Sequence, residues 1–312
     1  MAVLAAHANV ALNMHKAFST IAVLGRAGDP EIAIALKSLL AHLGTQGVRT
    51  LVDAALASLL DAKISTHFAE QAQICAQADL AIAVGGDGTL LNAVHMFTTR
   101  SIPLVGINLG RVGFLTDISP DTMETEISAI LQGDYHAENR LLLESEIVRA
   151  GVRLPCMPAL NDVVVQKADG GRLIEFETHV DGHFVCAHRA DGIIIATPTG
   201  STAYALSGGG SILHPSVDAV ILVPICPHAL GDRPIVVKGD SKIEILINDT
   251  HGGGAQVSSD GQHTQLLSAS DKVQVRRSAT SITLIHPREH DYYRILRTKL
   301  HWGRALHQTR KD

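Results

Sequence analysis

A chain of 312 residues is long enough for about two domains, each with its own core. Hydrophobic residues make up 46%, charged residues 18% and aromatic residues only 4%, which describes a globular protein with aliphatic cores. A net charge of −5 argues against broad binding to nucleic acid or an anionic membrane surface, and no apolar run approaches the roughly 20 residues that cross a bilayer.

Residues Met1–Ser19 are Ala-rich but interrupted by His7, Asn9, Asn13 and His15, with no basic start. They fit neither a signal peptide nor a transit peptide, so the expectation is a cytoplasmic protein whose segment 1–19 is an extension outside the domains. The cysteines (Cys75, Cys156, Cys186, Cys226) lack C-x-x-C spacing, which points away from a disulfide framework and a zinc site. His179, His183 and His188 flank a predicted hairpin turn at Asp181-Gly182 and are not read as a metal set. Metal ligands stay unassigned at this point.

Ile21–Leu24 reads as a short strand. Asp29-Pro30-Glu31 is a helix start with an N-cap, a proline at the first helical position and an early acid. Ile32, Leu36, Leu39, Leu40 and Leu43 then share one helical face. Val48–Val52 is a second strand, Phe68–Ala78 a helix, and Leu80–Val84 a strand apolar enough to be buried on both faces. A helix over Thr89–Thr99, a strand over Ile102–Ile107 and a helix opening at Ser119-Pro120 and running to about Gln132 complete a β-α alternation. That pattern implies a parallel sheet with right-handed crossovers over residues 20–140.

The richest stretch of this half is Leu80–Asn92. Its strand breaks into Gly85-Gly86-Asp87-Gly88-Thr89, so the glycines stand at the carboxyl end of a strand, where doubly wound sheets bind ligands. Glycines admit a phosphate close to the backbone and the following helix offers it free N–H groups. A carboxylate in such a turn repels phosphate unless it binds a cation, takes a proton or grips a hydroxyl, which singles out Asp87. The competing reading is a tight βα turn with Asp87 capping the helix. The glycines of the segment 106–115 do not follow G-x-G-x-x-G, and no P-loop or protein-kinase motif set is present.

From about Leu141 the texture changes to short β segments over residues 141–286. Strands are expected at Glu144–Arg149, Asp162–Gln166, Leu173–Val180, His183–Ala187, Gly192–Ala196, Ala219–Val223, Lys242–Ile247, Lys272–Arg276 and Ile282–Ile285. Asn161-Asp162 opens one apolar strand and Asp191 another. The latter runs into Thr197–Gly210, where hydroxyls, glycines and Tyr204 offer groups that read a ribose and a base edge. The competing reading there is a plain Gly/Ser/Thr-rich turn. The tail, 287–312, holds Tyr292, Tyr293, Ile295, Leu296 and Leu300 on an amphipathic element expected to pack on the first domain or on a partner chain.

Five stretches taken together resemble the NAD kinases: GGDGT at Gly85–Thr89, INLGRVGFL at Ile107–Leu115, LNDVVV at Leu160–Val165, DGIIIATPTGSTAYALSGGG at Asp191–Gly210 and SSDGQ at Ser258–Gln262. The resemblance covers roughly Thr20–Trp302, and TPTGSTAY is its most specific part. GGDGT is shared with phosphofructokinases and with diacylglycerol and sphingosine kinases. One departure is Asn161-Asp162, where many NAD kinases have Asn-Glu.

The resemblance implies a Rossmann-like α/β domain followed by a β-sandwich domain, with the tail returning to the first. It implies transfer of a phosphoryl group from ATP, or another polyphosphate, to the 2′-hydroxyl of the adenosine ribose of NAD. Mg²⁺ or another divalent metal would bridge donor oxygens. Asp87 would be the proton acceptor, with Gly85, Gly86, Gly88 and Thr89 at the phosphates. Asn161 and Asp162 would bind NAD hydroxyls, and Arg172, Arg189 and Asp191 would line the dinucleotide. Thr202, Ala203, Tyr204, Ala205, Leu206 and Ser207 would surround the adenine and its ribose, with Gln262 completing the pocket. A homodimer or homotetramer whose site is completed by a neighbour is also implied. The alternatives are a lipid or sugar kinase sharing the GGDGT turn, or a sensor that binds NAD or NADP without turnover.

Overall fold

The computed structural model describes residues 18–26, 30–60, 67–98, 100–110, 113–168, 172–249 and 253–302. The expected N-cap Asp29 and most of the N-terminal extension lie outside them. The chain divides into two units. The first comprises residues up to Leu90, Pro103–Ala137 and Ile285 onward, and the second comprises Leu91–Ile102 and Glu138–Leu284.

The first unit carries β1 (Thr20–Gly25), α1 (Pro30–Thr45), β2 (Arg49–Asp53), β3 (His67–Ala69), α2 (Gln71–Gln77), β4 (Leu80–Gly85), the start of α3 (Asp87–Met96), β5 (Leu104–Asn108) and α4 (Met123–Leu131). Its strands are parallel, in the order β3-β2-β1-β4-β5. All six residues of β4 and all five of β5 are buried, which explains why they read as unbroken apolar runs. Leu36, Leu39, Leu43, Ile127 and Ile130 cover them from the helices. Chain order reverses between β1 and β4, so the Gly85 turn sits at the topological switch point of the sheet.

In chain order the second unit follows with β6 (His136–Arg149), β7 (Val152–Pro155), β8 (Asp162–Lys167), β9 (Ile174–Val180), β10 (His183–Ala190), β11 (Gly192–Ala196), α5 (Tyr204–Ser207), β12 (Ala219–Ile225), β13 (Ile235–Lys238), β14 (Ile243–Asp249), β15 (Ala255–Ser259), β16 (Gln262–Leu267) and β17 (Lys272–His286). One antiparallel sheet runs β13-β12-β11-β8-β15-β16. Antiparallel β10, β9, β14 and β17 form the facing layer. Val163, Val165, Ile193 and Ile195 from one sheet meet Phe176, Ile245 and Val273 from the other in a shared core. Val164, Ile194, Ile221 and Val223 face the opposite way and are covered by Ala205. Both faces of β8 and β11 are therefore dry, as their VVV and III runs require.

Four expectations change. Phe68–Ala78 is not one helix: His67–Ala69 pairs with β2 as an edge strand before α2 begins. The helix expected from Ser119-Pro120 starts at Met123, because Thr122 N–H first closes a turn on the Ser119 carbonyl. Lys272–Arg276 and Ile282–Ile285 are two ends of the single strand β17. Finally, β7, β13, β15 and β16 were not anticipated, the first two and the last being largely exposed and β15 (AQVSS) mostly polar. The tail forms α6 (Tyr292–Lys299), capped by Asp291 accepting from Arg294 N–H, with Ile295 and Leu296 buried. No helix among the described residues is long and apolar enough to cross a membrane.

Candidate active site

In the first unit the site grows from the carboxyl end of β4. Gly85 adopts φ +154°, and a Cβ there would collide with the Thr89 hydroxyl, so only glycine fits. Beside Gly86 and Gly88 there is open space, which leaves the backbone accessible to an incoming group. Thr89 N–H and Leu90 N–H close on the Gly86 carbonyl and start α3.

The Asp87 side chain does not cap its own helix. Oδ2 accepts from Phe114 N–H (2.9 Å), and Oδ1 accepts from Leu115 N–H (3.1 Å), Thr116 N–H (3.2 Å) and the Thr116 hydroxyl (3.0 Å). Asn108 braces the same turn, donating to the Thr116 hydroxyl at 2.8 Å and accepting from Gly110 N–H. Gly113 is obligatory here, because a Cβ would fall on the Asp87 carboxylate. The INLGRVGFL stretch thus orients the acid of GGDGT. A carboxylate oxygen has two lone pairs. Oδ1 is saturated, while Oδ2 keeps room for one further donor on a half-buried residue.

In the second unit, register gathers one group of expected residues and separates another. Ala196 pairs with Asp162 and Val163 with Ser259, while Ser259 pairs with Gln262. The start of β8, the end of β11 with its following turn, and the β15–β16 turn therefore share one end of the sheet. Asn161, Asp162, Thr202–Ser207 and Gln262 come together there. Asp191 stands at the other end of β11, about 17 Å along the strand from Asp162. There it pairs with Lys167 at 2.7 Å. Arg189 lies on β10 beside Glu175, and Arg172 is exposed just before β9.

The hydroxyls of Thr197–Tyr204 are used differently from the sequence expectation. Thr197 donates to the Leu160 carbonyl (2.5 Å), Ser201 to the Pro198 carbonyl (2.6 Å) and Thr202 to the Thr199 carbonyl (3.1 Å). These side chains build the turn first. Gly200 packs against the Asn161 carbonyl so closely that no Cβ fits. Tyr204 remains exposed, and Ala205 is buried.

Sequence reasoning singled out no role for Asp260, although SSDGQ contains it. Its carboxylate accepts from Leu160 N–H (2.9 Å), Asn161 N–H (2.7 Å) and Asp162 N–H (3.1 Å), and His95 approaches at 3.2 Å. The signal available in the sequence was the pair Asp260-Gly261 between two short polar strands, and the structure places both at positive φ, +51° and +69°. The neighbouring Asp162 is buried, and among the described residues no donor meets its carboxyl. Burial, with the Asp260 charge beside it, pushes the Asp162 carboxyl up to about 7.

Two groupings of metal-ligand residue types also form: Asp117, His286 and His290, and Cys186, His188 and Asp232. In each, two members are close in sequence (His286 and His290, Cys186 and His188) and the acid is distant, so spacing alone does not reveal the set.

The comparisons with known proteins agree with one another. The ATP-NAD kinase N-terminal domain model matches residues 22–135 and the ATP-NAD kinase C-terminal domain model matches residues 160–287. An NAD kinase of Chromohalobacter salexigens is 46% identical, spanning 93% of this chain and 98% of its own length. One from Nitrosospira multiformis is 47% identical with the same coverage. Among solved structures, yeast NADH kinase complexed with NADH superposes with a TM-score of 0.85 at 25% identity, covering 92% of this chain and 89% of its own. An NAD kinase from Archaeoglobus fulgidus in complex with ATP gives 0.71 at 27% identity, covering 90% of this chain and 98% of its own.

Proposed function

Because this chain belongs to the ATP-NAD kinase family, we propose that it moves a γ-phosphoryl group from ATP to the 2′-hydroxyl of the adenosine ribose of NAD, with Asp87 as proton acceptor. The 2′-oxygen forms a bond to the γ-phosphorus as the bridge to the β-phosphate breaks. ADP leaves and the hydroxyl proton passes to Asp87. The observation that carries this reading is the Asp87 carboxylate: four protein donors fix its direction, yet Oδ2 retains a lone pair beside the open Gly86 and Gly88. An oriented base acting on an unactivated sugar hydroxyl is worth about 10²–10⁴-fold. Gly86 and Gly88 are suited to phosphate because nothing obstructs their approach, and Thr89 is proposed to reach it with its hydroxyl, its N–H being used by the Gly86 carbonyl. The lipid- or sugar-kinase reading and the sensor reading gain no support from the family matches.

The turn offers no ligand set of its own for a divalent metal: Asp87 is its one carboxylate and the lone pair left on Oδ2 is assigned to the substrate hydroxyl, so Mg²⁺ would be held by substrate phosphates and waters. When bound, the metal supplies charge neutralisation on the donor oxygens.

On the second unit, Asn161 and Asp162 are proposed to bind NAD hydroxyls, with Thr202–Ser207 around the adenosine and Gln262 closing the pocket. Arg172, Arg189 and Asp191 belong to the same proposal from a different direction. Because Asp191 stands at the opposite end of β11, we assign it to the pocket of a second copy, which makes the protein a homo-oligomer. Ile295 and Leu296 are used inside their own unit, so this argument replaces the apolar tail as the reason for assembly. No disulfide joins any of the four cysteines, which suits the reducing cytoplasm.

Purified protein with Mg·ATP should convert NAD to NADP. Equal consumption of ATP with NAD, a sugar or a diacylglycerol would overturn the substrate assignment. For the shared site, Asp87→Asn and Asp191→Asn chains are each expected to be inactive alone. Mixed through an unfold–refold step, they should recover about a quarter of wild-type activity, since half of random dimers are mixed and each holds one intact site. No recovery on mixing refutes the assignment of Asp191 to a neighbour's pocket.

A further inference from the structure

The turn that grips Asp87 is itself held from the far end of the chain. Asp117 follows Thr116 directly, and its Oδ2 accepts from His286 Nδ1 (3.0 Å) and His290 Nδ1 (2.7 Å). His286 ends β17 and His290 lies just before α6. All three side chains are more than nine-tenths buried. The imidazoles stack with centroids 4.1 Å apart, and His136 stacks on His290 at 6.3 Å. Lys299 of α6 reaches the other end of the same turn, 5.9 Å from the Phe114 ring centroid.

The distances match hydrogen bonds and are shorter than those of a tetrahedral zinc site. Oxygen and nitrogen ligands sharing a tetrahedral zinc, with bonds of about 2.0–2.1 Å, lie about 3.3 Å apart. Separations of 2.7 and 3.0 Å are instead hydrogen bonds in which both Nδ1–H groups donate to one oxygen. The other oxygen of Asp117, Oδ1, is buried and accepts nothing among the described residues. The direction of this carboxylate therefore rests on the two imidazoles. Burial alone would raise its pKa, but the hydrogen bonds from His286 and His290 hold it well below the usual carboxylate range, so it stays ionised.

We infer that His286 and His290 are positioning residues for phosphoryl transfer: by fixing Asp117 they hold the Gly113–Thr116 turn whose amides orient Asp87. This rests on the reading of Asp87 as proton acceptor. The geometry forms a relay of three links, from imidazole to Asp117, along three peptide units to Phe114, and from amides to Asp87. The clamp residues lie outside the glycine turn, so loss of the clamp should slow the chemical step and leave substrate affinity nearly unchanged.

The test compares His290→Leu with His290→Asn in the full-length protein. Leucine fills the volume without a donor, whereas the asparagine amide places an N–H where Nδ1 stood. For His290→Leu we expect kcat to fall about tenfold, with KM for NAD and ATP within twofold. Hydrogen exchange at the Phe114, Leu115 and Thr116 amides should rise about tenfold. His290→Asn should stay within threefold of wild type on both measures. An unchanged kcat, unchanged exchange, or an asparagine variant as impaired as the leucine variant overturns the inference. If His290→Leu does not fold, His290→Gln, whose amide lies beyond the Nδ1 position, gives the same comparison. Asp87→Asn measured alongside separates the two claims. If it loses turnover while His290→Leu keeps it, only the clamp is overturned. If it keeps turnover, the proton acceptor is overturned and the clamp loses its catalytic role, while exchange still reports whether the turn is held.

Discussion

The two units solve one local problem in the same way. In the first, Asp87 collects the consecutive amides of Phe114, Leu115 and Thr116; in the second, Asp260 collects those of Leu160, Asn161 and Asp162. Each carboxylate pins a turn from a distant part of the chain, and each turn carries or supports residues of the proposed site. What separates them is the surroundings. Asp87 is half-buried beside open glycines and keeps a lone pair to use. The Asp260 side chain is fully buried, is approached by His95, and stands next to a second acid. With Asp87 as the proposed proton acceptor, the same arrangement would serve catalysis where solvent and substrate reach it and architecture where they do not.

The largest effect expected from this contrast is on turnover in Asp87→Asn. An amide cannot take the hydroxyl proton, so turnover should fall at least about a hundredfold. The variant is not neutral for structure, however. Both Asp87 oxygens accept N–H groups, so an asparagine NH₂ must face a donor on one side. Loss of a charged hydrogen bond costs about 1.5–3 kcal/mol, felt mainly in the 113–116 turn. NAD affinity should change by no more than about tenfold. Near-normal turnover would erase the distinction between the two carboxylates.

Next in size is Asp260→Asn. Here the same donor conflict is buried, so we expect about 2–3 kcal/mol of global destabilisation, measured by urea unfolding. Specific activity of the folded fraction should drop far less than in Asp87→Asn. A hundredfold loss of turnover with unchanged stability would instead make Asp260 part of the chemistry.

Much of this was legible in the sequence because it depends on local composition. Runs such as LAIAVG and GIIIA can only be strands buried on both faces, and Gly85 has to be glycine beside Thr89. The α/β-then-β order, the strand ends carrying Asp87, Asn161 and Asp191, and the family itself followed from those stretches. The partners of Asp87 were not legible, since they lie 27 to 29 residues away and three of the four are backbone groups without a side-chain signature. The hydroxyls of Thr197, Ser201 and Thr202 were expected to face a ligand, but an irregular turn has carbonyls of its own to satisfy. The single strand β17 was read as two because Arg276–Ser281 is polar, although neighbouring strands keep it extended. Asp117, His286 and His290 gave no sequence signal, because only the fold brings them together.

The smallest predicted effect concerns the acid beside Asp260. The Asp162 carboxyl titrates at about 7 in the folded protein, against 3.8 for an unperturbed aspartate. A raised carboxyl pKa means that the folded state keeps a proton which the unfolded chain has already released. The cost to stability is therefore absent below about pH 4, grows as pH rises toward 7, and is complete above it. Asp162→Asn removes that titration. Relative to wild type, the variant should gain about 1–2 kcal/mol in urea unfolding between pH 4 and pH 8, a fraction of the roughly 4 kcal/mol that a rise from 3.8 to about 7 is worth before relaxation reduces it. Asp260→Asn should shrink the same pH dependence from the other side, because it removes the charge that helps raise Asp162. A stability difference between wild type and Asp162→Asn that stays constant from pH 4 to pH 8 would mean that Asp162 is ionised throughout. The buried acid would then resemble Asp87 more than its surroundings suggest.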